Sequence, residues 1–68
     1  MADKKVKRYT FYAVCTSKGY WDDIMARWST FEYATLFDKD EANVVADTFR
    51  ENGDRAEKKA KIVKVRVI

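Results

Sequence analysis

The chain contains no histidine and no proline, and it has only one cysteine and two glycines among its 68 residues. Without histidine, the commonest general base is missing, and a zinc site of the usual cysteine and histidine type cannot be assembled. Two scattered glycines cannot build the glycine-rich loop that cradles phosphates. These absences predict a protein that is not an enzyme and that uses no metal and no cofactor.

The single cysteine, Cys15, cannot form a disulfide within the chain and fits a reducing compartment. We expect its side chain to lie on the buried face of a strand, where a thiol acts as a small apolar group. The adjacent carboxylates of Asp22 and Asp23 would point to opposite faces of a strand, and capping a turn or helix explains them better than catalysis. No catalytic residue is therefore assigned.

No apolar run approaches the roughly 18–20 residues that a membrane-spanning helix needs. The basic N-terminal residues are not followed by an apolar stretch, so we expect no signal peptide and no membrane partner. The chain is 47% hydrophobic and 37% charged, which is typical of a folded domain. We therefore expect one cytoplasmic domain over residues 1–68, with a flexible basic N-terminus over residues 1–6.

Charge is segregated along the chain, although the formal net charge is only +3. Residues 1–8 carry four bases and one acid, and residues 58–68 carry five bases and no acid. Residues 38–57 carry seven acids and three bases. If the first and last strands are neighbours, the two basic ends combine into one positive face.

In two segments the side-chain types alternate between two faces with the period of a β-strand. In the first, residues 7–15, one face carries apolar side chains: Tyr9, Phe11, Ala13 and Cys15. In the last, residues 59–68, valines line one face and bases line the other: Val63, Val65 and Val67 against Lys64 and Arg66. We expect the helix to cover the apolar face of this sheet, because an apolar helix stripe and an apolar sheet face bury each other.

Residues 38–52 carry the pattern of an amphipathic helix. Asp38 is a candidate N-cap, and Glu41 follows three residues later, as in a capping box. The apolar side chains recur with helical spacing at Ala42, Val45, Ala46 and Phe49. Gly53 is positioned to end the helix.

The central part of the chain is open to more than one interpretation. In residues 20–28 the spacing favours a short helical turn or an ordered loop, although Tyr20 and Trp21 are also suited to open a second strand. Residues 29–37 are rich in strand formers and predict a strand or two short strands. The expected architecture is α+β, with a three- to four-stranded sheet against one helix, the first and last strands adjacent, and the strands flanking the helix parallel.

Two stretches carry a family resemblance. They are Tyr33–Ala42, which leads into the helix, and Ala60–Val65 in the closing strand. With the element order over residues 9–67, they resemble the small β-β-α-β accessory proteins of bacteriophages and other mobile elements. The resemblance implies a small non-catalytic protein in the host cytoplasm that binds and inhibits or modulates a host protein, such as a polymerase or an anti-phage defence component.

The leading hypothesis is accordingly a protein-binding module. Tyr20, Trp21 and Trp28 are of the residue types that anchor protein interfaces. Capping the end of a small core is the alternative role for these rings. Acidic helix residues would supply charge complementarity, or form a solvated face: Asp40, Asp47 and Glu51.

Nucleic-acid binding is the second hypothesis, because phosphates are bound by basic faces and bases stack on aromatic rings. The residues that would take part are Lys5, Lys7, Arg8, Tyr12, Lys61, Lys64 and Arg66. Their other interpretation is a solvated face whose lysines discourage strand pairing at the sheet edge. Self-association as a structural homo-oligomer is a third hypothesis, since so short a chain has a thin stability margin.

Overall fold

The computed structural model describes residues 9–67, with the backbone alone for Tyr9 and Val67. The expected flexible N-terminus lies outside these residues. The elements are β1 (Tyr9–Thr16), β2 (Gly19–Asp22), β3 (Arg27–Ser29), α1 (Lys39–Asn52) and β4 (Lys61–Val67), with short 3-10 helices at Phe31–Tyr33 and Glu57–Lys59. A four-stranded sheet packed against one main helix confirms the predicted α+β class.

The sheet is antiparallel, in the order β3-β2-β1-β4. β1 and β4 pair from Tyr9↔Val67 to Cys15↔Lys61, so the first and last strands are neighbours, as predicted. The prediction of parallel strands on either side of the helix is wrong. Residues 30–36 form no strand with which β4 could pair in parallel, and β4 instead pairs with the edge of β1 that β2 leaves free.

Residues 19–29 form a β-hairpin, so the preferred helical turn is wrong and the alternative of a strand opening at Tyr20 and Trp21 is confirmed. A cross-strand aromatic pair explains the outcome. Trp21 lies directly opposite Trp28, with ring centroids 5.0 Å apart. Contacts of this kind stabilise paired strands, and they outweigh the helical spacing of the same residues.

The strand predicted over residues 29–37 is also largely wrong. Phe31–Tyr33 is a 3-10 helix, and the chain then extends to a single bridge between Phe37 and Tyr12. That bridge has two backbone hydrogen bonds, from Tyr12 N–H to the Phe37 oxygen (2.8 Å) and from Phe37 N–H to the Tyr12 oxygen (2.7 Å). Phe37 thereby enters the core immediately before the helix.

The helix follows its prediction closely. The Asp38 carboxylate accepts a hydrogen bond from Glu41 N–H at 2.8 Å, which confirms the N-cap. Ala42 and Ala46 are fully buried against the sheet. Gly53 ends the helix, and a side chain there would clash, because an added Cβ would lie 2.5 Å from the Phe49 carbonyl oxygen.

The face of the sheet that α1 covers is opposite to the predicted one. The core consists of Val14, Phe37, Ala42, Ala46 and Ala60, with partly buried apolar side chains around it that include Tyr12, Trp21, Trp28, Phe49 and Ile62. Cys15, expected to be buried beneath the helix, is half-buried on the far side. The physical reason is bulk, since both tryptophans and Phe37 supply more apolar area than the valines of β4.

Candidate protein-binding surface

The loop between β2 and β3, residues 23–26, presents apolar side chains to solvent at the tip of the hairpin. Ile24 is 88% exposed and Met25 is 61% exposed. Both side chains follow directly from a strand that is anchored in the core through Trp21. We call residues 23–26 the tip loop.

A buried carboxylate holds the tip loop in one conformation. Asp22 is only 5% exposed, and its Oδ1 accepts hydrogen bonds from Ile24 N–H and Met25 N–H, both at 3.1 Å. Its Oδ2 lies 4.0 Å from the guanidinium of Arg27 on the other side of the loop. Ala26 closes the turn with a φ of +54°, a left-handed conformation that is uncommon for a residue other than glycine.

The first residue of the tip loop is tied to the rest of the domain. Asp23 N–H donates to Thr35 Oγ1 at 2.7 Å, and Asp23 Oδ1 accepts from Trp21 Nε1 at 3.0 Å. Thr35 N–H in turn donates to the Trp21 carbonyl oxygen at 3.0 Å. Hydrogen bonds therefore fix the backbone of the tip loop, while the apolar side chains of Ile24 and Met25 remain exposed to solvent.

Sequence analysis missed Ile24 and Met25 as surface residues and assigned the anchor role to the neighbouring aromatic residues. Trp21 and Trp28 each lie with their ring centroid 4.8 Å from that of Phe49, in a half-buried cluster between sheet and helix. Tyr20 lies on the opposite face of the sheet, with its ring 5.1 Å from Phe31. The structure thus brings two of the predicted anchors together inside the domain and separates the third from them.

The predicted acidic residues Asp40, Asp47 and Glu51 are all exposed on α1. Asp47 is paired with Arg50, at 2.8 Å. Val44, which is 64% exposed, shares their side of the helix, since positions spaced by three and four residues align. The acidic residues therefore flank an apolar side chain.

A shallow groove of about 240 Å³ separates the hairpin from α1. Its lining is mainly apolar: Trp21, Asp23, Val44, Val45, Thr48 and Phe49. Asp23 belongs both to the groove and to the tip loop. The tip loop, the groove and the exposed side of the helix therefore adjoin one another.

The basic residues of the second hypothesis are divided between the two faces of the sheet. Tyr12 is opposite Lys64, and Thr10 is opposite Arg66, so Tyr12, Lys64 and Arg66 share the face on which the helix packs. Lys61 is opposite Cys15 on the other face. The remaining predicted residues, Lys5, Lys7 and Arg8, lie outside the described residues.

A second polar cluster joins the turn after β1 to the segment after α1. Lys18 Nζ lies 2.5 Å from Asp54 Oδ2 and 3.7 Å from Glu57 Oε2. The hydrogen bond from Lys18 lowers the pKa of Asp54, and the Asp54 carboxylate raises the pKa of Lys18. The hydrogen bond from Trp28 Nε1, at 2.8 Å, is the main cause that lowers the pKa of Glu57.

Residues 9–67 contain no group of three or more cysteine, aspartate or glutamate side chains arranged to hold a metal ion. Their helices are all too short or too polar to cross a bilayer.

No protein-family model matches the chain, and neither a curated protein nor a solved structure is similar to it. The shape and chemistry of its surface are therefore the basis for a functional proposal.

Proposed function

We propose that this protein is a small non-enzymatic module that binds another protein through the tip loop. The observation that carries the proposal is the 88% exposure of Ile24 on a loop that a buried carboxylate holds rigid. A chain this short gains nothing for its own fold by placing such a side chain in solvent. Transfer of an isoleucine or methionine side chain into an interface contributes about 1.5–3 kcal/mol.

The order of the tip loop also favours binding. Immobilising a flexible side chain or loop on association costs about 0.5–1.5 kcal/mol for each group that loses its freedom. Asp22 and Asp23 reduce the cost of immobilising the loop on association, because they already fix its backbone in the free protein. The left-handed Ala26 fits the same interpretation, since backbone strain persists where the surrounding structure determines the conformation.

The chemistry beside the tip loop extends the proposed contact. The groove along α1 offers apolar side chains, and the exposed helix residues Asp40 and Glu51 provide negative charge beside it. Such a surface suits a partner with an apolar protrusion and basic neighbours. Because the chain resembles the small phage accessory proteins, we propose that the partner is a host protein and that binding inhibits or modulates it.

The test is affinity capture from lysate of the source cell, followed by mass spectrometry. The double variant Ile24→Ser/Met25→Ser should lose the captured partner while its free energy of unfolding stays within about 0.5 kcal/mol, because both side chains are exposed. Leu36→Ser is the matched control, since Leu36 is an exposed apolar residue outside the tip loop. Equal retention by wild type and the double variant would contradict the proposal.

Nucleic-acid binding is a second candidate because Tyr12, Lys64 and Arg66 share one face of the sheet. The same capture experiment separates the two candidates. Nucleic-acid binding through the basic residues is favoured by three results together. Nuclease treatment abolishes retention of the partner, retention falls steeply with salt concentration, and the tip-loop double variant retains as much as wild type.

A further inference from the structure

Two adjoining cavities form a cleft between the β1–β2 turn and the segment that joins α1 to β4. Their volumes are about 530 and 300 Å³, and Ser17, Ala56 and Lys59 line both of them. We call these two cavities the basic cleft. It lies at the start of β2, whereas the tip loop follows the end of that strand. The other lining residues are Cys15, Thr16, Asp54, Arg55 and Lys61.

Three bases of the cleft have no acidic partner. Arg55, Lys59 and Lys61 are exposed, and none of them takes part in an ion pair with another residue of the range 9–67. Lys58, the remaining base of this segment, donates to the Glu51 carbonyl oxygen at 3.5 Å and lines neither cavity. The unpaired positive charge of the segment is therefore concentrated at the cleft.

The acidic groups beside the cleft are already engaged. Asp54 Oδ2 pairs with Lys18 Nζ, and Asp54 Oδ1 accepts a hydrogen bond from Glu57 N–H at 2.9 Å. The Glu57 carboxylate accepts hydrogen bonds from Asp54 N–H at 3.0 Å and from Trp28 Nε1 at 2.8 Å. Because these bonds hold both carboxylates, neither is available to pair with the three bases.

The backbone that carries two of these bases is ordered. Lys59 ends a 3-10 helix, and its N–H donates to the Ala56 carbonyl oxygen at 3.1 Å. Lys61 begins β4 and lies directly opposite Cys15 in the ladder with β1. A ligand would therefore order side chains alone at these positions, which reduces the entropy lost on binding.

We propose that the basic cleft binds a small molecule that carries a diphosphate group, such as a nucleoside diphosphate. Arginine and lysine bind phosphate oxygens through charge-assisted hydrogen bonds, and the hydroxyls of Thr16 and Ser17 are further donors. A single phosphate monoester carries a charge of about −1.5 to −2. Two linked phosphates therefore match three bases better than one phosphate does. No glycine-rich loop is needed, because side chains supply the donors.

The size of the cleft indicates that the ligand has an organic part. Sites for small molecules commonly have volumes of roughly 300–1,000 Å³. The larger cavity, of about 530 Å³, falls within that range, and the side chain of Ala56 gives it an apolar contact. The proposal does not depend on the tip loop, which is a different surface.

A small molecule suits the cleft better than a nucleic-acid strand. A strand is bound along a positively charged groove that follows several phosphates. Here the three bases line one concavity. The other bases of β4, Lys64 and Arg66, share the face on which the helix packs, so they do not extend the cleft.

Calorimetric titration of the full-length chain with ADP, pyrophosphate and inorganic phosphate tests the proposal. At about 50 mM salt we expect saturable binding of one ADP or one pyrophosphate per chain. Inorganic phosphate should bind roughly tenfold more weakly, because it offers fewer charged acceptors. Tighter binding of ADP than of pyrophosphate would support a contact with the organic part, and equal binding would support recognition through the phosphates.

Two adjacent lysines provide a matched pair of variants. Lys59→Gln removes the base that lines both cavities and should weaken ADP binding by roughly tenfold. Lys58→Gln removes the same charge one residue away and should change the affinity by less than about twofold, because salt screens exposed charges. Both lysines are exposed, and circular dichroism checks that each variant is folded.

The thiol of Cys15 locates the ligand, because it lines the smaller cavity. Saturating ADP should slow alkylation of Cys15 by iodoacetamide by roughly fivefold or more. The same concentration of ADP should protect the thiol much less in Lys59→Gln.

Four results would overturn the proposal. The first is no saturable binding of ADP or pyrophosphate. The second is an equal loss of affinity in Lys58→Gln and Lys59→Gln, which would mean that binding follows net charge alone. The third is binding of ADP that leaves the alkylation rate of Cys15 unchanged. The fourth is protection of Cys15 by short single-stranded DNA and not by ADP or pyrophosphate, which would make a nucleic-acid strand the ligand.

Discussion

At the scale of single residues, Asp22 and Ala26 shape the tip loop by different means. Asp22 offers a carboxylate to two backbone N–H groups, whereas Ala26 adopts a left-handed conformation. That conformation costs a residue other than glycine about 1–2 kcal/mol. Sequence reasoning predicted that Asp22 or Asp23 caps a turn, but it could not place Ala26, because no glycine or asparagine marks the turn.

Ala26→Gly should therefore raise the free energy of unfolding by about 0.5–1 kcal/mol, because the relief of the left-handed strain exceeds the entropy that glycine loses on folding. Ala34→Gly is the control, since Ala34 has an ordinary φ of −64° and its replacement should lower stability. Urea denaturation measures both variants. A loss of stability in Ala26→Gly as large as that in Ala34→Gly would show that the turn is not strained.

At the scale of elements, the sequence predicts a helix or strand well when the contacts that determine it join residues close together in the chain. The start of α1 depends on Asp38 and Glu41, three residues apart, and the sequence pattern predicts it. The hairpin depends on a contact between Trp21 and Trp28 across two strands, and local spacing suggested a helical turn instead. The face that α1 covers depends on the whole set of aromatic side chains, so strand periodicity alone predicted the wrong face.

The link between the β1–β2 turn and the segment after α1 predicts a dependence on pH. The pKa values of Asp54 and Glu57 are lowered below their ordinary values of 3.8 and 4.5. Ionised carboxylates therefore stabilise the fold above those ordinary values, and this contribution is lost as the pH falls through the lowered ones. The melting temperature should decrease as the pH is lowered from about 5 to 2.

Lys18→Met tests the link directly. Because Lys18 contributes to lowering the pKa of both carboxylates, the variant should melt at a lower temperature at neutral pH and show a weaker acid dependence. Lys39→Met, which removes an exposed lysine at the start of α1, should keep the acid dependence of wild type. If the two variants have the same pH profile, the Lys18 cluster does not stabilise the fold.

At the scale of the whole molecule, the proposed contact lies at one end of the sheet. The tip loop projects from the end of the hairpin where β2 is joined to β3, and the groove along α1 adjoins it. Sequence analysis predicted a protein-binding module but assigned its anchors to Tyr20, Trp21 and Trp28. Two of these, Trp21 and Trp28, are half-buried between sheet and helix, and the sequence alone could not distinguish exposed from enclosed apolar residues.

The most direct test of the central proposal is site-specific photo-crosslinking in lysate of the source cell. A photoreactive amino acid replaces Met25 in the tip loop, and in a parallel sample it replaces Arg55, an exposed residue in the segment between α1 and β4. We expect a discrete crosslinked protein from position 25 and a much weaker product, or none, from position 55. The same products from both positions, or a partner captured only from position 55, would contradict the assignment of the tip loop as the binding surface.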